Sequence, residues 1–294
     1  MPSASVQIAS SLFGGCYVFL FFLTPPRPLL MHPSFWQIVA LAIVQGVAEF
    51  LPISSSGHVV ILATLLGATA EQFDVVELNI FLHLGTFASI VAYYWREILR
   101  LLTEDRRVIG LLVLGTLPAI AAALLLKATG FDHLLQSPLV AAVCLLATGM
   151  LLLWTSRQTG GDADYRKLPP LRALGIGIAQ AVAILPGISR SGTTIAAGLK
   201  TELKPQQAAT FSFLLALPAI LGASIWEIIQ RVRETDAGPQ LSISWLLGGA
   251  LIAAVVGYAS IGVLIRVLEK KRLHYFAWWC FLAGGGMLTY LATR

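Results

Sequence analysis

Two apolar segments of the chain are each interrupted by the same helix-breaking, hydroxyl-rich motif. The first motif, from Gln45 to His58, reads QGVAEFLPISSSGH, and the second, from Gln180 to Thr193, reads QAVAILPGISRSGT. At this constant offset of 135 residues, seven of the fourteen positions are identical. Because proline and glycine interrupt helices, each copy predicts two half-helices that meet at a polar turn. The chain must therefore accommodate two polar turns within apolar surroundings.

The composition indicates a membrane protein. Of the 294 residues, 57% are hydrophobic and only 12% are charged, whereas a soluble domain carries about 25% charged residues. Apolar runs such as Leu78–Tyr94, Val108–Leu126 and Leu246–Ile265 approach the roughly 20 residues that span a bilayer. We therefore predict an all-α polytopic membrane protein.

The net charge of +5 is spread over loops without a basic stripe, so no nucleic-acid partner is expected. The sequence carries no signal for an oligomeric state.

A polar linker at 156–170 divides the chain into two halves with the same order of elements. The first half, 31–155, is predicted to hold a re-entrant helix hairpin at 35–66 and three spans, and the second half, 171–294, a hairpin at 171–200 and three spans. The six predicted transmembrane spans lie near 78–95, 108–126, 137–154, 208–228, 243–265 and 275–292. Residues 1–30 are interpreted as an N-terminal extension: an extra helix, a signal-like segment or a mis-assigned start ahead of Met31.

The number of crossings predicts an inverted-topology repeat. A re-entrant hairpin returns to the side it came from, and three spans then cross the membrane an odd number of times, so the second half starts from the opposite face. Most of the 20 basic residues fall in segments predicted to be loops, at 96–107, 155–172, 200–204 and 266–272. The positive-inside rule assigns these segments to the cytoplasm. The first hairpin then enters from outside, and we expect the site to open toward the periplasmic or outer face.

Two charges, Glu49 and Arg190, are predicted at membrane depth. A charge there costs about 3 kcal/mol on insertion scales, so such residues are functional candidates, although a purely structural ion pair between the hairpins is an alternative. Gln45 precedes Glu49 by four residues, which places both side chains on one helix face. Two oxygen donors on one face suit Mg²⁺ or Ca²⁺. Alternatively, Gln45 only hydrogen-bonds a neighbouring helix.

The serine-rich turns carry the other candidates. In the first turn, Ser54, Ser55 and Ser56 precede a helix N-terminus, which favours an anion, although N-capping alone would also explain them. A serine near His58 is the minimum set for a nucleophile with its base, whereas His83 is interpreted as a hydrogen-bonding strut. In the second turn, the guanidinium of Arg190 and nearby hydroxyls predict a phosphate cradle. Those hydroxyls belong to Ser189, Ser191 and Thr194.

These two motifs resemble those of the undecaprenyl pyrophosphate phosphatase family of bacterial inner membranes, the bacitracin-resistance (BacA/UppP) type. The first motif matches the family pattern (Glu/Gln)-x-x-x-Glu followed by the serine turn, and the segment from Pro186 to Thr194 matches Pro-Gly-x-Ser-Arg-Ser-x-x-Thr. The resemblance extends from about Met31 to the C-terminus. Gln45 stands where many members have glutamate, so a charged metal ligand at position 45 is not required.

The resemblance implies hydrolysis of undecaprenyl pyrophosphate to undecaprenyl phosphate and inorganic phosphate with a divalent cation, which recycles the lipid carrier for cell-wall synthesis. Ser55 is then the expected nucleophile and His58 its base, or the acid for the leaving phosphate. Glu49, helped by Gln45, is the expected metal ligand. The expected substrate-binding residues are Ser54, Ser56, Ser189, Arg190, Ser191 and Thr194. A metal-activated water without a covalent intermediate is the competing mechanism.

A second class of function fits the same pattern. Broken helices in inverted repeats are typical of transporters, so a transporter or flippase of an anionic lipid or small anion is the alternative. A carrier has no use for a nucleophile and a base, and that difference separates the two functions. The type-2 phosphatidic-acid phosphatase superfamily performs the same reaction but needs a histidine and an aspartate soon after Ser-Arg. Here no histidine follows Arg190 before His274.

Overall fold

The computed structural model describes residues 35–66, 76–233 and 241–293; the N-terminal extension predicted at 1–30 lies outside them. Within these ranges the regular elements are helices, and there is no strand. Short 3₁₀ turns occupy Phe131–Gln136 and Tyr165–Lys167. The α-helices are α1 (Phe35–Ala48), α2 (Ser55–Leu66), α3 (Val76–Tyr93), α4 (Trp95–Thr103), α5 (Arg106–Thr129), α6 (Pro138–Ser156), α7 (Pro170–Val182), α8 (Arg190–Lys200), α9 (Pro205–Arg233), α10 (Ile243–Glu269) and α11 (His274–Ala292).

Both helix breaks lie where the motifs predicted them. Helix α1 ends at Ala48 and α2 begins at Ser55, while α7 ends at Val182 and α8 begins at Arg190. Pro52 and Pro186 lie in the two connections, where a residue without a backbone N–H does not disrupt helical hydrogen bonds. Each break therefore leaves a helix N-terminus directly after a serine-rich turn.

The long apolar helices make this a multi-pass membrane protein. Among the described residues, α5, α6, α9 and α10 are long and apolar enough to cross a membrane, and α3 with α4 adds a fifth such segment if that bent pair is one span. Length and hydropathy therefore identify four or five spans among the described residues, whereas the sequence predicted six. The last predicted span coincides with α11, a helix of 19 residues that is rich in glycine and aromatic residues.

The segment predicted as a loop at 96–107 contains helix α4, and that part of the prediction was wrong. Its axis turns by 75° from α3 after Tyr93. Helix α4 is amphipathic: Leu101 is buried and Ile98 is partly buried against the core, whereas Arg96 and Arg100 are exposed. The charges indicated a loop in the sequence, but an apolar residue at helical spacing is sufficient to pack a surface helix.

Each broken helix packs on a long helix from the other half of the chain. Helix α1 packs along α10, and α7 packs along α5. These contacts are close because small residues face each other, as in many membrane proteins: a Cβ on Gly46 would lie 2.9 Å from the carbonyl oxygen of Ala253, and one on Gly177 would lie 2.3 Å from that of Gly115. The breaks after α1 and α7 are thereby held at the centre of the bundle.

The linker between the halves is tied to the start of α5. The guanidinium of Arg107 donates to the carbonyl oxygens of Arg166 at 2.9 Å and Leu168 at 2.8 Å. Tyr165 is buried against the core, and this burial raises the pKa of its hydroxyl. Arg166 in turn pairs with Asp105 at 3.0 Å. These contacts hold the linker against the start of α5, and they thereby fix the position at which α7, the first helix of the second half, begins.

Candidate active site

The two serine-rich turns meet backbone to backbone. A Cβ on Gly57 would lie 2.7 Å from the Cα of Gly187, and a Cβ on Gly192 would lie 3.4 Å from the Cβ of Pro52. Gly187 has φ +93°, a conformation that side chains disfavour. Ile188 joins the contact, because its carbonyl oxygen accepts a hydrogen bond from the Ser54 hydroxyl at 3.4 Å. Two motifs 135 residues apart thus form one structural unit.

Both turns have the same internal hydrogen bonds. In the second turn, the Ser189 hydroxyl accepts from the backbone N–H three residues later at 3.1 Å and lies 3.3 Å from the Ser191 hydroxyl. In the first turn, the Ser54 hydroxyl makes the equivalent contacts at 3.4 Å and, with Ser56, at 3.0 Å. Ser54 and Ser189 therefore cap α2 and α8. They differ in backbone conformation, since Ser54 has φ +62° and Ser189 has φ −76°.

Helix α6 holds the second turn through Thr148, a residue that the sequence did not single out. Its hydroxyl donates to the carbonyl oxygen of Gly187 at 2.7 Å and accepts from the backbone N–H of Ser189 at 3.2 Å. Thr148 is fully buried. A hydroxyl within an apolar helix usually bonds to its own backbone, so nothing in the local sequence distinguished this residue from an ordinary helical threonine.

Glu49 and Arg190 form a buried ion pair between the turns. The Nη2 of Arg190 donates to Oε1 of Glu49 at 2.6 Å, and the amide of Gln45 donates to Oε2 at 3.2 Å. Glu49 is 6% exposed and Arg190 is 9% exposed. The second terminal nitrogen of Arg190, Nη1, is buried without a hydrogen-bond partner in the described part of the chain. A buried cationic donor without a partner is costly, so its position indicates a site for an anion.

Around this pair lies a small polar cup. Helices α2 and α8 begin at its wall, and their free backbone N–H groups and positive dipole ends favour an anion there. The cup combines one guanidinium, one carboxylate and five serine hydroxyls. Its lining residues are Ala48, Glu49, Ser54, Ser55, Ser56, Ile188, Ser189, Arg190 and Ser191.

Two of the predicted site residues face away from the cup or lie behind it. Thr194 is fully buried on the far side of α8, where its hydroxyl donates to the carbonyl oxygen of Arg190 at 2.8 Å and lies 2.6 Å from the Ser212 hydroxyl. Gln45 does not line the cup and contacts Glu49 instead. Both residues therefore support the charged pair, rather than line the space where an anion would lie.

His58, the predicted base, also lies outside the cup lining. Its Nδ1 lies 2.8 Å from the carbonyl oxygen of Ser54, and a carbonyl only accepts, so Nδ1 carries the hydrogen. Its Nε2 accepts from the indole N–H of Trp279 at 2.7 Å, and the two rings are stacked. The lone pair on Nε2 of His58 is therefore occupied by the hydrogen bond from Trp279 of α11. His58 can accept the Ser55 proton only when the hydrogen bond from Trp279 opens.

His83, interpreted from the sequence as a strut, approaches the charged pair from α3. Its Nε2 lies 4.0 Å from Oε2 of Glu49, and its side chain is buried. Asn79 and His83 are four residues apart and both face the interior. That spacing was visible in the sequence, but it did not reveal which side chain α3 would meet.

The residues at the cup fit Mg²⁺ better than Ca²⁺. The described residues contain no group of three or more His, Cys, Asp or Glu side chains placed to hold a metal, and Glu49 is the one carboxylate on the cup wall. Ca²⁺ takes six to eight oxygen ligands, largely from protein, whereas Mg²⁺ keeps waters and is commonly held by one or two carboxylates plus substrate phosphates. A single carboxylate beside an anion site matches the second pattern.

Comparison with known proteins finds similarity over most of the chain. Residues 38–286, which include both turns, match the family described as bacitracin resistance protein BacA. A protein of Rhodopirellula baltica named undecaprenyl-diphosphatase is 49% identical, over 84% of this chain and 95% of its own length. Proteins with the same name from Desulfosudis oleivorans and Protochlamydia amoebophila are 40% and 38% identical, each over 85% of this chain and 96% of their own length.

Proposed function

The chain belongs to the family of the bacitracin resistance protein BacA, and from this membership and the geometry of the cup we propose that it hydrolyses undecaprenyl diphosphate. The products are undecaprenyl phosphate and inorganic phosphate. This reaction returns the lipid carrier of cell-wall synthesis to its monophosphate form. The substrate is a polyprenyl diphosphate within the bilayer, which agrees with a multi-pass protein whose polar cup is surrounded by apolar helices.

The observation that carries this proposal is that Nη1 of Arg190 is buried and has no hydrogen-bond partner among the described residues. Nη2 already donates to Glu49 at 2.6 Å, and a structural ion pair alone would leave the buried Nη1 at a cost in free energy. A phosphate oxygen is the acceptor that a guanidinium nitrogen prefers. The serine hydroxyls and the N-termini of α2 and α8 supply the further donors that a diphosphate requires.

The chemistry of the cup indicates which part of the substrate enters it. Its wall carries a guanidinium, a carboxylate and serine hydroxyls, which suit a charged diphosphate headgroup. The apolar polyprenyl chain instead has to lie among the apolar helices outside the cup. Binding through the headgroup alone places the terminal phosphorus next to the serine turn at the start of α2.

In the proposed reaction, the hydroxyl oxygen of Ser55 attacks the terminal phosphorus and the bond from that phosphorus to the bridging oxygen breaks. Undecaprenyl phosphate leaves, and water then hydrolyses the phosphoserine to release inorganic phosphate. Arg190 and the helix N-termini stabilise the developing negative charge. His58 accepts the serine proton once Trp279 releases its Nε2. Direct attack by water, with Ser55 as a donor to the phosphate, is the competing route.

Glu49 would hold the divalent cation, for which we propose Mg²⁺ because a single carboxylate beside phosphate groups suits that ion. When bound, the ion neutralises phosphate charge. Gln45 supports Glu49 by donating to its second oxygen, so an amide at this position is sufficient for that role.

We further propose that the fold is an inverted-topology repeat of residues 31–155 and 171–294, in which α1 with α2 and α7 with α8 form two re-entrant hairpins. Two observations support it. At the 135-residue offset, Gly57 is equivalent to Gly192, and Pro52 is equivalent to Gly187. The contact of Gly57 with Gly187 and that of Gly192 with Pro52 are therefore the same contact made from each half, as a two-fold axis requires. Each hairpin also packs on a long helix of the other half. The basic segments then face the cytoplasm of a bacterial inner membrane, and the cup opens to the outer face.

Phosphate release from purified protein tests the function. The protein in detergent micelles with undecaprenyl diphosphate and Mg²⁺ should release one phosphate per lipid. Arg190→Ala should lower kcat/KM by about a hundredfold or more, the cost of losing a charged donor to a transition state. Arg172→Ala is the matched control, because Arg172 pairs with Glu202 at the exposed surface and should leave the rate unchanged. Lipid movement across vesicles without phosphate release would instead support the carrier function.

A further inference from the structure

The carboxylate of Glu49 has a third neighbour that belongs to neither turn. Oε1 faces Arg190, while Oε2 faces both Gln45 and the Nε2 of His83, at 3.2 Å and 4.0 Å. His83 comes from the middle of α3, a helix that contributes no residue to the cup lining. Any effect of His83 on bound substrate must therefore pass through Glu49.

The orientation of the His83 ring is fixed by its own helix. Nδ1 lies 2.9 Å from the carbonyl oxygen of Asn79, one turn earlier, and must donate because a carbonyl only accepts. This contact directs the opposite nitrogen, Nε2, toward Glu49. The ring is buried at 6% exposure, so it has little freedom to turn away. A backbone carbonyl that orients a histidine in this manner is a common supporting feature of metal and phosphate sites.

The separation of 4.0 Å is longer than a direct hydrogen bond of about 2.7–3.2 Å. Because Nδ1 carries the hydrogen, Nε2 and Oε2 are both acceptors, and one water molecule that donates to each can bridge them at this distance. Such a bridge restrains rotation of the carboxylate about its last torsion. Arg190 then holds Oε1, while Gln45 and the bridged contact with His83 restrain Oε2.

We propose that His83 is a positioning residue, which holds the Glu49 carboxylate in the orientation that receives the divalent cation and the diphosphate. This inference rests on the proposed function and adds α3 to the elements that build the site. It assigns to His83 a role that differs from that of a strut between helices. A hydrogen-bonding strut would contribute to stability without changing the response to the cation.

Four variants separate these roles. His83→Leu and His83→Met fill the space without a polar atom, whereas His83→Gln can still direct a polar group at Glu49. Ser89→Ala is the control, because Ser89 is another buried polar residue of α3 that bonds to Ala254 rather than to the site. Each purified protein is assayed for kcat, KM and the Mg²⁺ concentration that gives half-maximal activity. Mn²⁺ binding in the presence of methylenediphosphonate is measured by electron paramagnetic resonance, without turnover.

His83→Leu and His83→Met should weaken Mn²⁺ binding and raise the half-maximal Mg²⁺ concentration by about tenfold, the usual effect of removing a residue that orients a ligand. The KM for lipid should change much less, and His83→Gln and Ser89→Ala should behave like the wild type. An unchanged cation response in both apolar variants, or a loss in His83→Gln as large as in His83→Leu, would overturn the positioning role. A wild type that binds Mn²⁺ but releases no phosphate would contradict the proposed function instead.

Discussion

The ion pair between Glu49 and Arg190 joins side chains 141 positions apart at 2.6 Å, both of them almost completely buried. A buried pair gains little net stability, because removing two charges from water offsets most of their attraction. Its persistence in an apolar bundle therefore requires another reason. The free Nη1 of Arg190 and the adjacent serines supply that reason, since together they form a site for an anion that the pair alone would not complete.

Ser54 and Ser55 are neighbours with different structural roles, and this difference yields a prediction. Both line the cup, but the Ser54 hydroxyl is engaged in capping α2 and in the contact with Ile188, whereas Ser55 is the first residue of the helix. Ser55→Ala should abolish phosphate release if Ser55 is the nucleophile, and Ser54→Ala should mainly cost about 1 kcal/mol of stability, the typical value of an N-cap. Equal and mild losses of kcat in the two variants would favour direct attack by water.

At the scale of elements, the site exists because two helix breaks touch. The sequence predicted both breaks, since proline, glycine and serine clusters interrupt apolar segments, and it predicted which side chains each turn carries. It could not predict that Thr148 of α6 would hold Gly187, or that Trp279 of α11 would engage His58. Those contacts depend on how helices distant in sequence pack, and a threonine or tryptophan in an apolar helix carries no local signal of its partner.

Gly187 tests the contact between the second turn and α6. Its φ of +93° and the 2.2 Å separation of a built Cβ from the carbonyl oxygen of Ala141 leave no space for a side chain. Gly187→Ala should lower stability by at least ~1–3 kcal/mol, the typical cost of a strained backbone, and should also reduce activity. Gly285→Ala in α11 is the control, because a Cβ there meets no atom within 4 Å. Thermal unfolding in detergent measures both variants, and equal Tm values would contradict the close contact.

At the scale of the whole molecule, the order of elements was more predictable than their placement. Hydrophobic run length located the helices, but it misjudged the charged segment that forms α4. Seven of the ten candidate residues line one cup. Thr194, Gln45 and His58 do not, because a motif records which residues are near the turn but not the direction in which each helix face points.

The central claim is that the two turns meet, and a cysteine cross-link tests it most directly. In a chain without Cys16, Cys144 and Cys280, the pair Pro52→Cys and Gly192→Cys should form a disulfide, because the 3.4 Å Cβ separation is close to the roughly 3.8 Å that disulfides favour. A protease site inserted at 157–162 then separates the halves. We expect the halves to migrate together on a denaturing gel until reductant is added, while single-cysteine controls separate. Halves that separate without reductant, under oxidising conditions, would contradict a shared site.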